Sequence, residues 1–267
     1  MANMKTFTIN GTNLSFVDRG GGRPILFVHG FPLDHSMWNG QIERFSARYR
    51  VIAPDLRGFG QSGISEGVVE MAQFADDLAA LLDFLEIDEP VALCGLSMGG
   101  YIAFQFWRRH VERLRGLILC DTRAAKDTPE AAANRLVVAE KVLREGSHIV
   151  AETMIPRLFS PVTLQNQPHL AEEIRQIIVH TDPRGIAAAA LGMARRADFT
   201  AELSGINCPA LLVVGQHDAI TPVAEMQVMA NAIPGAKFEI IPRAGHMAPL
   251  ERPDAVSAAI ADFLQRI

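Results

Sequence analysis

Cysteine, aromatic residues and positive charge are all scarce in this chain. The three cysteines, Cys94, Cys120 and Cys208, are an odd number at no metal-ligand spacing, and each sits beside or within an apolar run. They read as buried thiols in a reducing compartment rather than as a disulfide scaffold. Lys and Arg total 25 against 30 Asp and Glu, a formal net charge of −5. That is the wrong sign for gripping phosphate backbones, so nucleic acid is excluded as a partner. The longest basic cluster, Arg108-Arg109-His110, is soon followed by Glu112. No apolar run reaches membrane-spanning length, and Met1 to Asn10 lacks the long apolar stretch of a secretory signal. These absences predict a cytoplasmic protein with no membrane partner. No His-Glu-x-x-His or Cys/His cluster marks a metal site, and no cofactor is expected.

What remains is ordinary globular composition: 267 residues, 49% hydrophobic and 21% charged, with 21 Gly and 15 Pro. A chain this long buries about three quarters of the surface its unfolded form exposes, so it needs no metal or disulfide staples. There is no internal repeat and no low-complexity segment. The Ala-rich run 187–190 reads as a good helix former. Nothing in the sequence specifies a homo-oligomer.

Short β-rich runs alternate with helical ones. Residues 6–9 and 13–17 predict a hairpin around Asn10-Gly11. Apolar runs at 24–28, 50–53, 91–94 and 117–120 suit buried parallel strands. Helical stretches at 37–48, 68–85 and 98–110 lie between them; in the second, Met71, Phe74, Leu78, Leu81, Leu82 and Leu85 share one face. This alternation predicts an α/β fold with a parallel sheet and helices on both faces. From 123 to 207 only helix-like sequence follows, at 129–144, 149–158, 169–180 and 183–196. Alternation then resumes with 210–214, 223–232, 238–241 and 253–266. The interruption is far longer than a connection within an α/β unit. The domain reading is therefore a core of 1–122 and 208–267, with 123–207 as an inserted helical cap over the sheet's C-terminal edge.

The sharpest motif is Gly95-Leu96-Ser97-Met98-Gly99, directly after the 91–94 run and opening a helix. A serine hydroxyl is a weak nucleophile unless it stands clear of the backbone beside a base. A tight strand-to-helix turn projects it that way, and glycines on either side remove side chains that would collide there. With 21 glycines in 267 residues, this pattern arises by chance only ~0.06 times.

A serine nucleophile needs a histidine base and an acid to orient it. Of the eight histidines, His35, His110, His148, His169 and His180 read as solvated. His29, at a strand end, reads as bonded to backbone, and strand parity turns His217 away from Asp218. His246, in Arg243-Ala244-Gly245-His246-Met247-Ala248-Pro249 just past the last strand, is the best-placed base. That edge is where open α/β sheets bind ligands. For the acid, Asp218 and Asp121 both follow strands and compete. Asp218 gives the chain order Ser97, Asp218, His246, that of this motif class. An oxyanion needs two convergent N–H donors. Met98 offers one, and Phe31, after Gly30, offers the other, since Pro32 has no N–H.

Val28-His29-Gly30-Phe31-Pro32, residues 54–62, residues 95–100, Gly215 to Asp218 and Gly245 to Pro249 together resemble the ordered signature blocks of the α/β-hydrolase superfamily. The closest resemblance is to small carboxylesterases, cofactor-free haloperoxidases (perhydrolases) and 3-oxoadipate enol-lactonases. It implies a mostly parallel twisted sheet of about eight strands. It also implies Ser97, Asp218 and His246 as triad, Phe31 and Met98 as oxyanion donors, and a small ester or lactone as substrate. Triad acids in this superfamily follow either of the two strands concerned, so Asp121 stays open as the alternative acid. Serine at 97 argues against dehalogenases and epoxide hydrolases, which have aspartate there. A non-catalytic ligand-binding member of the fold is the reading from another class. Gly58-Phe59-Gly60-Gln61-Ser62-Gly63 matches a dinucleotide fingerprint in spelling alone, because no helix opens inside its glycines.

Overall fold

The computed structural model describes residues 4–267; residues 1–3, assigned above to the core, lie outside the described residues. Eight strands form one sheet: β1 (Lys5–Ile9), β2 (Thr12–Arg19), β3 (Pro24–Val28), β4 (Arg50–Pro54), β5 (Val91–Leu96), β6 (Leu114–Cys120), β7 (Ala210–Gly215) and β8 (Lys237–Ile241). Their order is β1-β2-β4-β3-β5-β6-β7-β8. The β1–β2 and β2–β4 pairs are antiparallel, and every later pair is parallel. Each residue of β3, β5 and β7 is buried, as a strand covered by helices on both faces requires. At the rims, β1 and β8 carry exposed residues.

The helices of the core are α1 (Asn39–Phe45), α2 (Met71–Phe84) and α3 (Met98–Arg109). Between β6 and β7 come α4 (Pro129–Glu145), α5 (His148–Leu158), α6 (Pro161–Asn166), α7 (Pro168–His180) and α8 (Pro183–Ala194). The chain closes with α9 (Val223–Ala232), α10 (Ala248–Glu251) and α11 (Pro253–Leu264). Helix α1 packs with α11, α2 with α3, and α4 with α8. Caps explain several starts. Thr128 accepts from the Ala131 N–H with Pro129 at the first turn of α4, and Asp182 accepts from the Arg184 N–H at α8.

Local physics corrects several sequence expectations. The predicted helix 37–48 opens as a 3-10 turn, His35–Trp38, before α1. The predicted helix 68–85 starts only at Met71, because Glu70 is extended (φ −74°, ψ 155°). The alanines at 187–190 are more than helix formers: all four are buried. Ala188 accepts a hydrogen bond from the Val69 N–H at 3.2 Å, and a Cβ on Gly192 would lie 1.8 Å from the Val69 carbonyl oxygen. Small residues let α8 touch the backbone before α2, a contact made at the ~1 kcal/mol that a glycine costs in a helix interior. Cys94 and Cys120 are buried as expected, with Sγ atoms 3.9 Å apart. Cys208 is only partly buried, a correction, although burial still pushes its thiol up to about 11.

Candidate active site

Ser97 sits between β5 and α3 with φ 53° and ψ −110°, a backbone conformation that costs a non-glycine residue on the order of 1–3 kcal/mol. Its surroundings hold it there. The Ser97 N–H donates to the Cys120 carbonyl at 3.0 Å, and the Thr122 hydroxyl donates to the Ser97 carbonyl at 2.7 Å. The flanking glycines are sterically required, because a Cβ on Gly95 would lie 2.3 Å from the Gly99 carbonyl oxygen. A Cβ on Gly99 would in turn lie 2.4 Å from the Val28 carbonyl oxygen. Strand β3 is thereby brought against the turn, and a Cβ on Gly30 would sit 3.5 Å from that of Ser97. Phe31 follows in the same loop, half-buried and edge-on to Phe59 at 6.3 Å. Met98, fully buried, opens α3.

Asp218 and His246 meet directly: Nδ1 of His246 and Oδ2 of Asp218 are 2.8 Å apart, and both residues are buried. Asp218 Oδ1 accepts from the Ile220 and Thr221 N–H groups at 2.7 and 2.9 Å, and the Thr221 hydroxyl donates to Oδ2. Burial works to raise the Asp218 carboxyl. The His246 ring and the Thr221 donors outweigh it and hold the group below its ordinary value. The Nδ1 contact leaves Nε2 of His246 as the other ring atom. The Ser97 hydroxyl and His246 share no hydrogen bond among the described residues, a separation common in sites without substrate. Asp121, the competing acid, reaches neither Ser97 nor His246 by a hydrogen bond. Its Oδ1 accepts from the Gly215 N–H at 2.8 Å.

Two features escape sequence reasoning. Glu251, 2% exposed, accepts from the Gly245 N–H at 2.7 Å and from the Ser160 N–H at 2.9 Å. One carboxylate thus ties the His246 loop to the junction of α5 and α6. The Met247 N–H adds a bond to the Leu158 carbonyl, and the Ser160 hydroxyl one to the Arg243 carbonyl. The signal available was an acidic residue directly after the apolar stretch Met247-Ala248-Pro249-Leu250. The second is His35, which is not solvated as expected. Its Nδ1 lies 2.6 Å from the buried Asp55 carboxylate, which also accepts from the Gln61 N–H. Burial opposes the charge on His35, and the bond to Asp55 raises it overall. Asp55, raised by burial, ends lowered through the same bond. His29 behaves as expected, its Nδ1 bonded to the Gly30 carbonyl and its Nε2 accepting from the Leu56 N–H.

Among the described residues, two groups of side chains bring possible metal-ligand atoms within 4.8 Å of one another: Asp34, His35 and Asp55, and Asp121, Asp218 and His246. In each, the histidine and an aspartate are joined by a direct hydrogen bond. The fingerprint-like segment 58–63 is loop, and a Cβ on Gly60 would lie 2.2 Å from the Asp55 carboxylate. A buried carboxylate there would repel a pyrophosphate.

Comparison with known proteins agrees with this architecture. The family described as alpha/beta hydrolase fold matches residues 23–253. A 3-oxoadipate enol-lactonase of Acinetobacter baylyi is 29% identical over 98% of this chain and 96% of that protein. The structure of a thermophilic esterase from Thermogutta terrifontis, with malate bound, is 50% identical at a TM-score of 0.97, covering 99% of both chains. The enol-lactonase structure from Burkholderia xenovorans LB400 is 33% identical at a TM-score of 0.91, covering 98% of this chain and all of the other.

Proposed function

The chain belongs to the alpha/beta hydrolase fold family, and from that premise we propose that it is a serine hydrolase cleaving carboxylic esters of small or medium size through an acyl-enzyme. The observation that carries this reading is the buried 2.8 Å pair of His246 and Asp218 on the same sheet edge as the strained Ser97. Ser97 Oγ attacks the ester carbonyl while Nε2 of His246 takes its proton. Asp218 fixes the tautomer and stabilises the imidazolium. The backbone N–H groups of Met98 and Phe31 receive the oxyanion. Collapse expels the alcohol, which takes the proton from His246. Water, deprotonated by His246, then frees the acid and Ser97.

Residues 123–207 act in this reading as a cap whose side chains set the acyl preference. Met154, Ile155, Leu158, Phe159 and Met193 supply it with an apolar character, which favours an uncharged acyl group. A lactone is an internal ester and needs no different machinery, and the 33% identity to an enol-lactonase keeps that substrate class in the panel. No described helix is long and apolar enough to cross a membrane.

The test is a panel of p-nitrophenyl esters of rising acyl length, run beside lactones and a peroxide-dependent halogenation assay, on wild type and Ser97→Ala. Turnover that disappears in the variant supports the reading. Wild type inert across the panel makes the fold a binding module, and full turnover in Ser97→Ala assigns the attack to another residue.

A further inference from the structure

Asp121 has no part in the chemistry above, yet it is fully buried at the end of β6 with φ 45°. Its Oδ1 accepts from the Gly215 N–H, while its Oδ2 has neither solvent nor, among the described residues, any hydrogen-bond partner. Ligand atoms of Asp121, Asp218 and His246 all lie within 4.8 Å of one another. An ionised Asp121 would therefore leave an orphaned carboxylate oxygen in the interior beside a second carboxylate. Either fault alone is costly, since a buried charge needs partners and like charges this close resist joint ionisation. A proton on Oδ2 removes both faults and turns an orphan acceptor into a donor.

We propose that Asp121 is a positioning residue that anchors Asp218 through a shared proton, its carboxylic acid donating from Oδ2 to the Asp218 carboxylate. The inference rests on the serine-hydrolase reading only for its effect on turnover. The titratable groups facing Asp121 are Asp218 from the loop after β7, His246 from the loop after β8, and the Cys120 thiol on its own strand. Burial, the Asp218 charge and Cys120 all push the Asp121 carboxyl well above its ordinary range, against the opposing Gly215 N–H. The cluster then holds one negative charge, on Asp218. That single charge balances the imidazolium formed when His246 takes the serine proton. Two ionised carboxylates would overstabilise the imidazolium and hinder its return of the proton. The Asp121 proton is not transferred during turnover; it adds a donor to the Asp218 carboxylate that the Ile220 and Thr221 N–H groups and the Thr221 hydroxyl already hold.

Two measurements test this. Infrared difference spectra of Asp121→Asn against wild type, at neutral pH in light and heavy water, read the protonated carboxyl directly. A carboxylic-acid carbonyl band present in wild type and in Ser97→Ala, and absent from Asp121→Asn, is expected. Absence of that band in wild type overturns the proposal whether or not the protein turns over an ester. Ester kinetics then read the role. Asp121→Asn keeps an acceptor for Gly215 and an N–H donor for Asp218, and is expected to keep most of kcat. Asp121→Leu should lose kcat on the order of 10–100-fold, the scale seen when a group that orients a metal-ligating side chain is removed. KM should be unchanged and the acid limb of kcat/KM should move to higher pH. An Asn variant as damaged as Asp218→Asn, or a Leu variant with unaltered kcat and pH profile, contradicts the proposal. If the Leu variant does not fold, the Asn variant and its spectrum decide alone.

Discussion

The segment between β6 and β7 and the C-terminal edge of the sheet each bury a cluster of charge, and the two are built oppositely. In the segment, Asp127 stands between two guanidiniums. Arg196 Nη1 lies 2.7 Å from it with both side chains 3% exposed, and Arg135 approaches from the other side. Burial raises the Asp127 carboxyl, the two cations overcome this, and the group ends below its ordinary value. At the sheet edge two carboxyls, Asp121 and Asp218, lie near one imidazole that only Asp218 bonds, and Asp121 is driven the other way. A buried aspartate thus takes its charge state from its partners, not from burial alone. The cation-rich cluster is a fastening, whereas the cation-poor one, on the proposed reading, receives the serine proton at His246.

Replacement of each cluster's central aspartate sharpens the contrast most. Asp218→Asn should lower kcat by about 10⁴-fold on any ester turned over, through the wrong imidazole tautomer, with circular dichroism unchanged. That corresponds to ~5.4 kcal/mol of transition-state stabilisation. Asp127→Ala should instead cost about 3–5 kcal/mol of stability in urea unfolding, because Arg196 stays buried without its carboxylate, while kcat of the folded protein holds. If Asp127→Ala collapses kcat at unchanged stability, the segment's cluster belongs to the chemistry and the contrast fails.

Glu251 joins the two regions and should show both signatures. Glu251→Gln replaces a charged acceptor shared by Gly245 and Ser160, and should cost about 1.5–3 kcal/mol in unfolding together with a measurable fall in kcat. Loss of stability with kcat intact would show that the His246 loop holds its place without the clamp. The smallest effect concerns His35 and Asp55. The lowered Asp55 contributes stability that is present above the ordinary carboxylate range and lost as pH falls through its folded value. The raised His35 contributes stability that is full below the ordinary histidine value and lost as pH rises through its folded value. Their pair should therefore add about 1 kcal/mol chiefly between about pH 4 and 6.5. Urea midpoints of wild type and His35→Gln across pH should differ most in that window. A constant difference would assign the effect to packing.

The parts legible in sequence were those written in local spacing. Short apolar runs marked the inner strands and the Asn10-Gly11 turn the first two, and the glycines around Ser97 marked a turn that only small neighbours permit. His246 was found from its place after the last strand. Chain order favoured Asp218 over Asp121 as the acid although both follow strands, and only Asp218 contacts His246, at 2.8 Å. What sequence reading missed depends on partners distant in the chain. Ser160 and Glu251 are 91 residues apart, and His35 and Asp55 are 20 apart. The buried face of α8 was misread for the same reason, since alanine's helix propensity hides that Gly58 and Val69 need its small residues.

The central claim is that Ser97 is the nucleophile, and covalent capture tests it most directly. A fluorophosphonate probe, followed by peptide mapping of wild type and Ser97→Ala, should place the adduct on Ser97 in wild type and leave the variant unlabelled. An adduct on any other residue, or labelling that persists in Ser97→Ala, would contradict the account.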